Sequence, residues 1–156
     1  DEDSGDTLRL DNISGIDLDR EYIDKLLEQE GIKDIRPYLH APGYIVNSDL
    51  STLYNAAFAF LYPSLRESFG IPMLEAMACG TPIITSNTSA MPEVAGTGTQ
   101  LIDPHKPEEI ANAILRLEQD EAFYQSQISY GLERVKFFSW SRTADELAKI
   151  YERIGR

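Results

Sequence analysis

The sequence predicts an α/β fold: a doubly wound parallel sheet with additional helices at its C-terminal end. Three observations carry that expectation. Strand-like and helix-like segments alternate along the chain, the order that a parallel sheet with helices on both faces requires. Two short segments, the continuous apolar run Ala59-Phe60-Leu61-Tyr62 closed by Pro63 and the TPIITS segment at 81–86, read as buried strands. Beyond residue 106 the pattern is helical to the end of the 156 residues.

Each element follows from local chemistry. A strand is expected at residues 7–10, followed by the loop DNISGID and a helix over 19–30. In that helix Tyr22, Ile23, Leu26 and Leu27 share one face, and Gly31 is a natural C-terminal stop. A strand over 35–40 ends at Ala41-Pro42-Gly43. Ser48 can cap a helix running to about residue 57, with Leu50, Leu53 and Tyr54 inward. Residues 59–62 read as a central buried strand, and a helix over 72–78 opens on Pro72, a residue well suited to a first helical position. A buried strand at 81–86, a short helix at 92–95 and a strand at 99–102 close the sheet. Helices over 107–118, 121–136 and 141–154 finish the chain, and the last should carry more exposed apolar surface than a self-contained domain needs.

Composition narrows the function. With 42% hydrophobic and 26% charged residues, the chain has globular composition and length enough for one sizeable core. A net charge of −12 argues against binding nucleic acid or anionic membrane by bulk attraction. The single cysteine, Cys79, excludes an internal disulfide and reads as a buried small hydrophobe. His40 and His105 lack companions at metal-ligand spacing, so no metal is expected. Trp140 and Tyr151 read as packing residues. The sequence shows no signal-peptide pattern and no apolar run of membrane-spanning length, which points to a cytoplasmic protein.

The chemistry concentrates between Pro63 and Pro104. Glu67 and Glu75, separated by seven residues, flank a Phe-Gly-Ile-Pro turn. Glu67 precedes the helix and Glu75 lies one turn into it. A helix start with its positive dipole end attracts anions, and a carboxylate beside it can hold sugar hydroxyls, so the pair suits a ligand that joins phosphate to sugar. Glu75, with two acceptor oxygens, is the candidate for ribose hydroxyls. Gly70 would let the backbone approach a ligand without a Cβ clash. Ser89 could instead simply cap the short helix, with Glu93 supporting it. Glu67 could be no more than a loop acid paired with Arg66. Ligands of such sheets bind beyond the carboxyl ends of the strands, where the loops after Tyr62 and Thr85 both emerge.

The blocks PSLRESFGIPMLEAMACGTPII, SNTSAMPEV and LIDP, in that order, resemble the donor-binding region of the retaining family-4 glycosyltransferases. That family's pattern runs P-S-x-x-E-x-F-G-x-P-x-x-E-A-M-A-x-G-x-P-V-I, then S-x-x-x-x-x-P-E-V, then a strand ending near Asp-Pro. Weaker support comes from the flanking segments GYIVNSDLSTLYNAAFAFLYP and FSWSRTADELAKIYERI. The resemblance implies a Rossmann-like domain, the C-terminal half of a GT-B fold, that binds a nucleoside-diphosphate sugar. It implies Glu67 near the reacting carbon of the transferred sugar, and Glu75 on the ribose. Phe69, Gly70 and Ile71 would act through backbone amides, and Gly43, Tyr44 and Ile45 would cradle the base. Ser86, Asn87, Thr88, Ser89 and Glu93 would support the donor from behind. Where the family often has Gly, this chain has Ser68.

Residues 1–156 would then be a donor-binding domain truncated at its N-terminus, because relatives begin with a strand and a Gly-Arg…Lys segment not found here, and the acceptor domain is absent. The loop DNISGID also departs from the family's glycine-rich turn. The expected partners are a nucleotide-sugar and the N-terminal acceptor domain of the parent chain, with no nucleic acid, no cofactor, and membrane contact only through the full-length enzyme. The expected function is sugar transfer to a hydroxyl acceptor in polysaccharide or glycolipid assembly, with the isolated domain inactive. The alternative is a non-catalytic α/β module that binds nucleotide or protein.

Overall fold

The computed structural model describes residues 20–40, 42 and 44–155 and divides into two units, Asp1–Val46 and Asn47–Arg156. The strand expected at 7–10 lies outside the described residues. In the first unit, α1 spans Arg20–Gln29, and Leu27 is its buried apolar residue. Gly31, at φ 70°, ends it as its position suggested.

The segment expected as a strand at 35–40 is instead a 3-10 helix, Lys33–Tyr38, with no buried residue. Pro37 sits inside it, where it could give no hydrogen bond to a neighbouring strand. Arg36 pairs with Asp24 and donates to the Leu39 carbonyl at 2.9 Å, so local bonds replace a ladder. The apolar residues of this segment, Ile35 and Leu39, are both exposed.

The second unit is built on a three-stranded parallel sheet in the order β1-β2-β3, with β1 at Phe60–Tyr62, β2 at Ile83–Ser86 and β3 at Gln100–Ile102. Phe60 pairs with Ile83 and Tyr62 with Thr85, while Thr85 pairs with Leu101 on the other side. Among the described residues β2 is the central strand, and every residue of it is buried, the polar Thr85 and Ser86 included. β1 was expected at the centre. Among the described residues it is an edge strand, half-buried, with Leu61 39% exposed. An apolar run reports that a strand can be buried on both faces and says nothing of which neighbours cover it.

Helices cover both faces of the sheet, as a doubly wound fold demands. On one side α3 (Ile71–Ala78) and α4 (Met91–Ala95) bring Met73, Ala76, Met77, Met91 and Val94 against Ile83, with Phe60 and Tyr62 packed beside them. On the other, α5 (Pro107–Gln119) sets Ala113 and Leu117 against Ile84 and Ile102. The alternation follows from the two-residue period of a strand: Ile83 and Ile84 face opposite cores. Met73, Met77, Ile84, Met91 and Leu117 are all but sealed from water, each contributing about 1.5–3 kcal/mol of burial.

α6 (Glu121–Val135) lies across α3, where Gly131 permits close approach: a Cβ there would sit 3.2 Å from Met77 Cγ. Asp120 caps α6 by accepting from the Phe123 amide at 2.9 Å. Ahead of the sheet, α2 (Asn47–Ala56) ends under Thr81, whose hydroxyl donates to the Tyr54 carbonyl at 2.6 Å. Of its expected inward residues, Leu50 and Tyr54 are half-buried and Leu53 is exposed.

α7 (Trp140–Ile154) starts at Ser139, which accepts from the Arg142 amide at 3.1 Å, and it carries no buried residue. Its apolar residues Leu147, Ile150 and Tyr151 are 47%, 41% and 71% exposed, the surplus of apolar surface expected of this helix. Trp140 and Tyr151, read as packing residues, are corrected by the same observation: among the described residues both are largely exposed. Cys79, expected buried, is only half-buried at the C-terminal end of α3.

Candidate functional site

β1 and β2 are parallel neighbours, so the loops that follow them leave the same edge of the sheet. The first loop, 63–70, carries Glu67 and leads into α3. The second, 87–90, carries Asn87, Thr88 and Ser89 and leads into α4. Side-chain hydroxyls join the two. Ser89 Oγ accepts the Glu67 amide at 3.2 Å and donates to the Glu67 carbonyl at 2.8 Å. Thr88 Oγ1 donates to the Leu65 carbonyl at 3.3 Å. Ser89 adopts φ 55°, a left-handed conformation that turns its hydroxyl toward the first loop. Ser89 therefore does not cap α4: the cap position is Ala90, with no side-chain hydrogen bond. The α4 carbonyls of Glu93 and Val94 are instead taken by the Arg134 guanidinium of α6.

The Glu67 carboxylate is held by hydroxyls as well. Tyr62 Oη donates to Oε1 at 2.7 Å and Ser64 Oγ donates to the same oxygen at 3.0 Å. An ion pair with Arg66, the plainer role for this glutamate, is not among the ion pairs of the described residues. Glu75 is the fifth residue of α3 and exposed, and its Oε2 accepts from Tyr54 Oη at 3.2 Å. The two tyrosines are linked by a ring row. Tyr54 meets Phe60 edge-on at 5.3 Å, and Phe60 stacks with Tyr62 at 5.7 Å. Partial burial, with the facing Glu75 charge, pushes the Tyr54 phenol up to about 12. Burial, and the Glu67 hydrogen bond and charge, do the same to Tyr62, also to about 12. Both phenols stay protonated and donate across the neutral range.

Gly70 is buried at φ 93°, just before α3, where an added Cβ would sit 2.5 Å from Met73 Cε. Its lack of a side chain is thus demanded by the turn itself. α3 opens with no side-chain cap. Pro72 has no N–H, and the Met73 amide turns back to the Gly70 carbonyl at 3.1 Å. Of the amides in and after this turn, those of Pro72 and Met73 are thus not offered to a ligand, while those of Phe69, Gly70 and Ile71 take no backbone partner among the described residues. Phe69 is partly exposed and packs edge-on against Phe138 at 5.8 Å. It borders a groove of about 490 Å³ that also includes Arg142, Leu147 and Ile150, and neither glutamate lines that groove.

At the end of β2, Ser86 is fully buried, and its hydroxyl has no hydrogen-bond partner among the described residues. Asn87 continues the sheet by donating its amide to the Ile102 carbonyl at 2.8 Å. Gly43 lies outside the described residues. Tyr44 and Ile45 fall in the first unit, Tyr44 exposed and Ile45 half-buried. Sequence reasoning missed Tyr54, Tyr62 and Ser64 as partners of the two acids. Ser64 stood in the motif itself, and its spacing from Glu67 was the available signal. Among the described residues, no three His, Cys, Asp or Glu side chains gather where they could hold a metal ion, and no helix is long and apolar enough to cross a membrane.

Fold and site together define a Rossmann-like α/β domain with two tyrosine-tethered carboxylates, one on the loop after β1 and one on the helix that follows it. Residues 12–134 match the family model for glycosyl transferases group 1, and the chain belongs to that family. It is 39% identical over 110 residues to the O-antigen chain mannosyltransferase B of Escherichia coli, an alignment covering 70% of this chain and 29% of that protein. The serotype-specific mannosyltransferase WbdA of Escherichia coli is 38% identical over 124 residues, covering 80% of this chain and 15% of WbdA. Among solved structures, the sucrose-phosphate synthase of Thermosynechococcus elongatus superimposes with a TM-score of 0.72 at 30% identity. That match covers 86% of this chain and 34% of the synthase, and it places the domain in the GT-B fold. The chain thus spans about a third or less of the length of each of these proteins.

Proposed function

We propose that this chain is the donor-binding, C-terminal part of a retaining family-4 glycosyltransferase that uses a nucleoside-diphosphate sugar. The observation that carries the reading is the pairing of Glu67 and Glu75. Each acid has one oxygen tied to a tyrosine, on loops and a helix that start from one edge of a parallel sheet. In this reading Glu75 accepts from ribose hydroxyls. Glu67 faces the transferred sugar, where its charge opposes the positive charge that develops on the ring. The amides of Phe69, Gly70 and Ile71 approach a donor oxygen.

The bond from the anomeric carbon to the diphosphate oxygen breaks, and the diphosphate leaves with the electron pair. A bond to the acceptor hydroxyl oxygen forms on the same face of the sugar, and the hydroxyl proton is released. Glu67 is assigned no nucleophilic role, and positioning and charge stabilisation supply the catalysis without a metal. The mannosyltransferase relatives support a hexosyl group and an acceptor in polysaccharide or glycolipid assembly. An acceptor domain completes the cleft, as the short coverage of those relatives suggests. The reaction is assigned to the cytoplasm, with any membrane contact made by the full-length enzyme.

The test is steady-state kinetics of the full-length transferase with GDP-mannose, UDP-glucose and ADP-glucose as donors. Glu75→Ala should raise the donor KM by roughly ten- to a hundredfold, since hydrogen bonds to charged groups contribute about 1.5–3 kcal/mol. Glu67→Ala should depress kcat more than it raises KM. The 156-residue chain alone, at net charge −12, should bind these donors weakly in calorimetry and transfer no sugar. Near-wild-type kcat and KM in both variants would leave the two acids with a structural role only.

A further inference from the structure

The two glutamates are not held alike. Glu75 is exposed and accepts one hydrogen bond, at 3.2 Å. Glu67 is half-buried, and its Oε1 accepts two, from Tyr62 at 2.7 Å and Ser64 at 3.0 Å. Two donors fill the lone pairs of Oε1. Neither reaches Oε2, and no hydrogen bond to Oε2 is formed among the described residues. Tyr62 is itself anchored. The Tyr62 carbonyl accepts from the fully buried Thr85 hydroxyl at 2.9 Å, its ring stacks on Phe60, and its backbone pairs with β2. Rotating the Glu67 carboxylate would break both bonds at once, whereas Glu75 can swing on a single contact.

On the donor-site reading above, we propose that Tyr62 and Ser64 are positioning residues: they lock Oε1 of Glu67 and present Oε2, unshared, to the transferred sugar. Glu67 then acts as a fixed group and Glu75 as an adaptable one. A carboxylate that must oppose charge in the transition state gains from being oriented beforehand. A carboxylate that only grips ribose hydroxyls does not need such restraint.

The experiment compares Tyr62→Phe, Ser64→Ala and the double variant with wild type in the full-length transferase. Nucleoside-diphosphate release is followed with GDP-mannose and UDP-glucose as probes, and each variant is melted by circular dichroism. Each single variant should lower kcat by roughly tenfold and the double by more, with donor KM within about twofold of wild type. Ser64→Thr, which keeps the hydroxyl, should recover most of the turnover. Tyr124→Phe removes a comparable phenol, one that donates to the Phe58 carbonyl at 3.2 Å, and should leave kcat unchanged.

A second readout needs no turnover. In the 156-residue chain, the Tyr62 phenol, read as the difference in tyrosinate absorbance between each protein and its Tyr62→Phe counterpart, should ionise at lower pH in Glu67→Gln than with Glu67 intact. An unchanged titration would overturn the contact. Wild-type kcat in the double variant, while Glu67→Ala is impaired, would overturn the positioning role and leave the donor-site reading intact. A fall in kcat matched by an equal rise in KM would also overturn it. If Glu67→Ala itself turns over normally, the donor-site reading fails and takes this inference with it.

Discussion

Replacing Ser89 separates two contributions that the loop combines. Its hydroxyl makes two hydrogen bonds to the Glu67 backbone, accepting at 3.2 Å and donating at 2.8 Å, and its backbone sits at φ 55°. Ser89→Ala removes both bonds and keeps the left-handed backbone. Exposed neutral bonds contribute about 0.5–1 kcal/mol each, so the loss should be about 1–2 kcal/mol. Ser89→Gly removes the same bonds but relieves a conformation that costs an L-residue roughly 1–2 kcal/mol. Part of that relief, about 0.5–1 kcal/mol, is cancelled by the freedom glycine gains when unfolded. The glycine variant should therefore be the more stable of the two by about 0.5–1 kcal/mol, while neither reaches wild type. Urea unfolding of the 156-residue chain, followed by far-ultraviolet circular dichroism, measures this as midpoints in the order wild type, glycine, alanine. Turnover of the full-length transferase should fall in both variants alike, because both lose the tie to Glu67. A wild-type midpoint for Ser89→Ala, or a lower midpoint for Ser89→Gly than for Ser89→Ala, would refute the reasoning.

Two further expectations concern stability. A Cβ at Gly98 would lie 2.3 to 2.7 Å from three Tyr130 ring atoms, so Gly98→Ala should cost roughly 1–3 kcal/mol, and Tyr130→Ala in the same chain should recover part of the loss in Tm. The fold raises the Tyr54 and Tyr62 phenols from their ordinary 10 to about 12, so the folded state favours the protonated form. Their contribution to stability is complete below pH 10 and is lost as pH climbs through about 12; Tm measured across that window should fall less steeply in Tyr54→Phe/Tyr62→Phe than in wild type.

Helix boundaries were the most legible part of the fold, because they are written in neighbouring residues. Gly31 ends α1, and the helices expected over 107–118, 121–136 and 141–154 appear within a residue of those limits. Strand placement was less legible. Residues 59–62 and 81–86 both read as buried strands, yet among the described residues only the second is central, because burial depends on neighbours brought from elsewhere in the chain. Residues 35–40 failed for a different reason: Pro37 and the Arg36–Asp24 pair favour a local turn over a ladder. In the site, Glu67 and Glu75 stood out by residue type and spacing. Their distant partners did not, since Tyr54 lies 21 residues before Glu75 and Ser89 lies 22 after Glu67, distances that no local pattern connects.

The adjacency of β1 and β2 also limits how this domain can be altered or exchanged. Their register sets Tyr62 beside Thr85, so the two loops depart from points one strand spacing apart, about 4.8 Å. Ser89 and Thr88 then fasten the second loop to Leu65 and Glu67 of the first. Residues 60–95 therefore behave as a cassette. A graft that imports the first loop from a relative, but keeps a native second loop of another length, would bring a hydroxyl to the wrong carbonyl and leave Glu67 untethered. Inside the cassette any change in one loop requires a compensating change in the other.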